Sequence, residues 1–154
     1  MNLAKWLYRG GRPNRLAMVL NRWSAAIHAF GVAPNYLVTL DVPGRRSGRM
    51  ISLPLVVAVV EGQRYLVSML GAEVDWVRNV KAVGGNVTLR HGRREKVHLE
   101  EVPANLRAPV LKAYLKRAPG ARPHLPIHKD APLSEFERVS SQFPVFRVLP
   151  GRPV

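Results

Sequence analysis

The sequence contains no cysteine, which excludes disulfides, iron–sulfur clusters and thiolate catalysis and accords with a reducing compartment. No apolar run approaches the roughly 20 residues needed to cross a bilayer, and the first residues do not follow the basic, apolar, small-residue order of a secretory leader. A cytoplasmic location is therefore expected. Acidic residues are scarce: 10 Asp and Glu stand against 24 Lys and Arg, a formal net charge of +14. A field of that sign favours polyanions, namely nucleic acid, anionic lipid, or a small ligand with several phosphates or carboxylates. Signatures of the common nucleic-acid readers are missing as well, with no zinc-finger spacing, RRM aromatics or helix-turn-helix. Basicity thus selects a class of partner, and nucleic acid is not the expected one.

What is present suffices for a folded domain: 154 residues, 47% of them hydrophobic, can bury a core without covalent staples. In residues 1–34, Leu16, Val19, Leu20, Trp23, Ile27 and Phe30 follow helical spacing, with Pro13 at the start and Gly31 and Pro34 at the stop. This basic amphipathic helix either packs on the domain or lies on anionic membrane through residues 1–30, anchored by Trp6 and Trp23. The second option places the protein peripherally on the inner face of the cell membrane.

Residues 35–150 read as a second, larger unit. Strands are expected over Tyr36 to Val42, Met50 to Val60 and Gln63 to Met69, the last two joined by a tight turn at Glu61-Gly62. A short helix follows from Asp75 to Val83, then a hairpin of Val87 to His91 and Lys96 to Val102 around Gly92-Arg93. Pro103 opens a helix with Leu106, Val110, Leu111, Tyr114 and Leu115 on its apolar side. A proline-rich loop occupies residues 118–132, before a helix from Ser134 to Ser141 and a strand from Pro144 to Leu149. Short antiparallel strands with flanking helices predict an α+β domain built on a small barrel.

Two constellations carry chemistry. The turn Gly44-Arg45-Arg46-Ser47-Gly48-Arg49 joins two strands and concentrates guanidinium groups. It is either a solvated hairpin or an anion site, since mutually repelling arginines are better placed opposite a phosphate or carboxylate. It is neither a Walker loop nor a Rossmann fingerprint. The second is Ser68-Met69-Leu70-Gly71, running on to Asp75, Trp76 and Asn79. A strand end, a small-residue loop and a helix start converge there, a seat for a ligand or simply a capped and packed helix. His124 and His128 do not form a metal pair on a helix, because Pro126 interrupts them. No metal is expected, and His124 is assigned to a substrate loop.

The chain resembles the deazaflavin-dependent nitroreductases, a family of split β-barrels (FMN-binding split-barrel-like). The matching residues are Thr39, Gly44-Arg45-Arg46-Ser47-Gly48, Pro54, Tyr65-Leu66-Val67-Ser68, Gly71, Trp76, Asn79, Val87-Thr88-Leu89, Gly92, Tyr114 and Phe143-Pro144-Val145-Phe146. The resemblance implies coenzyme F-420, an 8-hydroxy-5-deazaflavin with a phosphodiester and an oligoglutamate tail. It implies that Arg45, Arg46, Ser47, Gly48 and Arg49 hold the phosphate and tail. Ser52, Leu53, Pro54 and Leu55 would lie along the ring, Ser68, Met69 and Gly71 across from it, and Trp76 and Asn79 would close the pocket. The implied reaction is hydride transfer to a lipophilic acceptor such as a quinone, enone or nitro compound, with Ser68 or Tyr114 as hydrogen-bond or proton donor. The late helix has one tyrosine, Tyr114, where the family pattern has several, so the acceptor stays open. The alternatives are an FMN- or haem-binding barrel of the same fold, a noncatalytic deazaflavin carrier, or a basic nucleic-acid module.

Overall fold

The computed structural model describes residues 36–118 and 127–151. The helix expected over residues 1–34, its membrane contact, and His124 lie outside the described residues. Among the described residues there are six strands: β1 (Leu37–Pro43), β2 (Met50–Val60), β3 (Gln63–Val67), β4 (Asn86–His91), β5 (Arg93–Glu101) and β6 (Val145–Pro150). Three α-helices accompany them: α1 (Asp75–Ala82), α2 (Ala108–Arg117) and α3 (Leu133–Val139). The strands form a closed barrel in the order β1-β2-β3-β6-β5-β4, every pairing antiparallel. Among the described residues no helix is long and apolar enough to cross a membrane.

Alternation along the strands sorts the side chains between two cores. In β1, Val38, Leu40 and Val42 point inward, and the register sets Leu40 against Leu53 of β2 and Leu89 of β4. Helix α1 adds Trp76, Val77 and Val80 to this interior, with the Trp76 and Phe146 rings 5.8 Å apart and tilted by 57°. Outside the barrel, Val56, Ala58, Val67 and Val145 meet Leu111, Leu115 and Phe136 of α2 and α3. Each large aliphatic or aromatic side chain buried this way contributes about 1.5–3 kcal/mol.

β3 stops at Val67, short of the expected Met69, and two further departures from the sequence reading have a clear physical cause. β5 begins at Arg93, not Lys96, because Gly92 alone (φ 81°) turns the hairpin and sets His91 against Arg93. The helix expected from Pro103 is a single 3-10 turn, Ala104–Leu106, that leaves Leu106 exposed, and α2 starts only at Ala108. Pro109 in the first turn fixes that start, since a proline there forfeits no helical hydrogen bond. Between the two segments, buried Arg107 donates to the carbonyls of Val102 (2.7 Å), Ser140 (3.0 Å) and Phe143 (3.3 Å) and pairs with Glu101. One guanidinium thereby ties the end of β5 to the approach of β6.

After α1 the chain passes through Gly85, whose φ is +83° and whose carbonyl accepts from the Leu99 amide at 2.8 Å. A Cβ at this position would lie 2.3 Å from the Leu99 oxygen. Gly85→Ala is therefore expected to destabilise the fold by about 2 kcal/mol or more. Chemical denaturation measures this, and an unchanged midpoint would refute the close approach.

Candidate functional site

β2 changes partners along its length. Met50 to Val56 pair with β1, whereas Val57 to Val60 pair with β3. β3 ends at Val67, and the chain then turns away through Ser68 to Gly71 toward α1. The first half of β2 is thereby left with one edge that no described strand pairs. Pro54 lies in this half. A proline has no N–H and is accommodated in a sheet only where no ladder bond is required of it, so its presence suits an unpaired edge.

The 44–49 turn is closed by its own backbone: the Gly44 amide donates to the Arg49 carbonyl and the Gly48 amide to the Gly44 carbonyl, both at 2.8 Å. Gly48 takes φ +72°, which only glycine adopts at little cost. The Ser47 hydroxyl accepts from the Arg49 amide at 3.1 Å. The three arginines then divide. Arg45 is fastened to α1, its amide and guanidinium both donating to Asn79 Oδ1 (3.0 and 2.9 Å) and its other nitrogen pairing with Asp75 at 3.1 Å. Arg46 and Arg49 are exposed and form no ion pair with any described residue. Among the described residues, two cations of the turn are thus unpaired while a third holds it in place.

The remaining candidates take varied positions. The Ser52 hydroxyl donates to Asp41 at 2.5 Å. Leu53 points into the barrel core, while Pro54 and Leu55 are half-buried. Ser68 is buried and donates its hydroxyl proton to the Gly71 carbonyl at 2.5 Å, which fastens the loop. Met69 and Tyr114 belong to one apolar cluster with Val56, under α2. Burial pushes the Tyr114 phenol well above its ordinary value, so it stays neutral at any physiological pH. Trp76 and Asn79 are both buried, the first as core and the second as the acceptor for Arg45. The structure therefore joins the turn, Asp75 and Asn79 into one network, and Met69 with Tyr114 into another.

One cluster escapes the sequence reading. Asp41 of β1, only 6% exposed, accepts a bidentate pair from Arg90 of β4 (2.6 and 3.0 Å) together with the Ser52 hydroxyl. Its signal in the sequence is an acid within an otherwise apolar strand, in a chain with few acids. Burial raises the Asp41 pKa, but the hydrogen bonds from Arg90 and Ser52 and the charges of Arg90 and Arg94 outweigh it and bring the pKa below 3.8. Among the described residues no three His, Asp or Glu side chains converge as metal ligands.

No protein-family model and no curated protein matches the sequence. Solved structures do match. An F-420-H2-dependent reductase, FDR-A, is 20% identical, with 76% of this chain and 96% of that chain covered at a TM-score of 0.54. A conserved hypothetical protein from Mycobacterium tuberculosis is 16% identical, with 84% and 81% covered and a TM-score of 0.55. A putative 5-nitroimidazole antibiotic resistance protein from Bacteroides thetaiotaomicron is 11% identical, with 82% and 78% covered and a TM-score of 0.52. At these identities the likeness is one of fold. The fold is the split β-barrel. In this split barrel the unpaired stretch of β2 is the split itself, and the glycine-arginine turn stands at its end.

The buried ion pair supplies a test of how that split is held. A folded-state pKa below the unfolded value of about 3.8 means that ionised Asp41 stabilises the fold above that pH, and that the contribution disappears as pH falls through the folded value. Asp41→Asn should lower stability by about 1–3 kcal/mol at neutral pH, with the gap from the parent closing in acid. Thermal melts from pH 7 to pH 2 measure it; a gap independent of pH would remove Asp41 from this role.

Proposed function

We propose that the protein is an oxidoreductase that takes a hydride from reduced F-420 and delivers it to a lipophilic acceptor such as a quinone, enone or nitro compound. The observation that carries this reading is the unpaired edge of β2 beside a turn whose Arg46 and Arg49 have no counter-ion among the described residues. A planar ring with a chain of negative charges fits that pairing: hydrogen-bonding edge for the ring, guanidinium groups for the charges. When bound, the deazaflavin would supply the hydride; the chain supplies orientation, electrostatics and exclusion of water.

On this reading the residues have distinct duties. Arg46, Arg49, Ser47 and Gly48 would bind the phosphodiester, with Arg45 and Asn79 holding the turn in position. Pro54 and Leu55 would flank the ring, Ser52 and Leu53 would contribute backbone, and Met69 and Gly71 would lie across from it. Trp76 would brace the loop from within. Tyr114, a neutral phenol, is the candidate donor to the reduced product. Ser68 could serve likewise only by releasing the Gly71 carbonyl. If residues 1–30 bind membrane, a lipophilic acceptor would arrive along that surface.

Titration with F-420, FMN and haem tests the reading. F-420 should bind at least tenfold more tightly than FMN, a difference of about 1.4 kcal/mol, and its reduced form should be oxidised by some member of a panel of quinones, enones and nitro compounds. Tighter binding of FMN or haem would overturn the coenzyme assignment, and F-420 binding without turnover by any acceptor would make the protein a carrier. Arg46→Ala and Arg49→Ala should each weaken F-420 binding by about tenfold without lowering the melting temperature. Arg45→Ala should lower both, because its bonds to Asn79 and Asp75 anchor the turn.

A further inference from the structure

Ion pairing separates the cations that build this fold from those left over. Every acidic residue of the chain lies among the described residues. Those nearest the β4–β5 hairpin are committed: Asp41 to Arg90, Glu95 to Arg64 and Glu100 to Arg147. Arg94 and Lys96, both exposed on β5, pair with none of the described acids.

Their placement is set by register. Arg94 lies directly opposite Arg90, and Lys96 opposite Thr88. Continuing through β1 to β2, one row on the outer face reads Pro54, Thr39, Arg90, Arg94 and the next reads Ser52, Asp41, Thr88, Lys96. At about 4.8 Å per strand, each row spans roughly 14 Å of backbone, starting beside the split. The charge of Arg94 helps to hold Asp41 ionised. Two arginines directly opposed in a sheet disfavour the fold. Asp41 bonds Arg90 and is shared at longer range with Arg94, so one carboxylate faces three cations, Arg90, Arg94 and Lys96, on these two rows.

We propose that Arg94 and Lys96 form a second anion station, on the outer face of β1, β4 and β5, for the carboxylates of a flexible polycarboxylate chain whose head is gripped at the 44–49 turn. This rests on the deazaflavin reading above and assigns the far end of the coenzyme, its oligo-γ-glutamate tail. The free station costs stability in the absence of ligand and recovers it when carboxylates arrive.

The test uses the full chain, with Arg94→Gln and Lys96→Gln, in three measurements. Against F-420 with long tails, each variant should lose about three- to tenfold in affinity and show a flatter dependence on salt. Affinity for the tail-less deazaflavin should be unchanged. In melts without ligand, Arg94→Gln should be more stable than the parent, an outcome that loss of a merely structural arginine would not give. Free oligo-γ-glutamate should raise the melting temperature of the parent and not of the double variant. Equal losses for tailed and tail-less coenzyme, or no loss for the tailed form, would overturn the station. If the parent binds no deazaflavin, the coenzyme reading fails, and oligo-γ-glutamate alone then decides: a shift that requires Arg94 and Lys96 upholds the station, and none refutes it. Loss of binding to anionic vesicles or RNA, with oligo-γ-glutamate unaffected, would also refute it.

Discussion

The divided loyalty of β2 organises everything else in this molecule. A strand can satisfy two neighbours only where both run alongside it, and β3 leaves after Val57 has met Leu66. From there to Met50, β2 keeps β1 and loses its other partner. An exposed edge of that kind normally invites another strand. Here the inner side is filled by Trp76, Val77 and Val80. Toward Val56 the outer side is sheltered by α2. Pro54, which has no amide proton to offer, also makes the edge a poor template for strand addition. What remains is a narrow border between two apolar walls, and the candidate site lies at this defect in the barrel wall, away from its centre.

Charge is distributed by the same economy of partners. With so few carboxylates, each acid decides which cation becomes structural. Asp75, with Asn79, makes Arg45 part of the scaffold; Asp41 does so for Arg90; Glu101 does so for Arg107. Two of the arginines passed over, Arg46 and Arg49, stand on the turn that the scaffolded Arg45 immobilises. A rigid base carrying free guanidinium groups is better suited to an anion than a floppy one, because the ordering entropy has already been spent in folding.

The barrel was largely legible in the sequence because alternation and turn residues are local. β2 matches its expected bounds, and the Glu61-Gly62 turn joins it to β3 as read. The likeness to a deazaflavin reductase, drawn from an ordered series of short matches, has its counterpart in the structural neighbours. The division among Arg45, Arg46 and Arg49 could not be read, because it depends on Asp75 and Asn79, some thirty residues away in the chain. The same holds for Ser52, whose partner Asp41 is set by cross-strand register. Leu106 differs for another reason: it belongs to a separate 3-10 turn, and the apolar face of α2 does not carry back across Arg107, whose side chain bonds three carbonyls.

The position of β6 has a consequence for how such a chain is made. β6 enters between β3 and β5, bonding both. Until Val145–Pro150 has emerged from the ribosome, β3 and β5 each carry an open edge, and the apolar interior has a gap where Phe146 belongs. The nascent barrel is therefore a trough until β6 takes its place. During synthesis those two edges are the places where the growing chain could pair with a neighbour instead of itself.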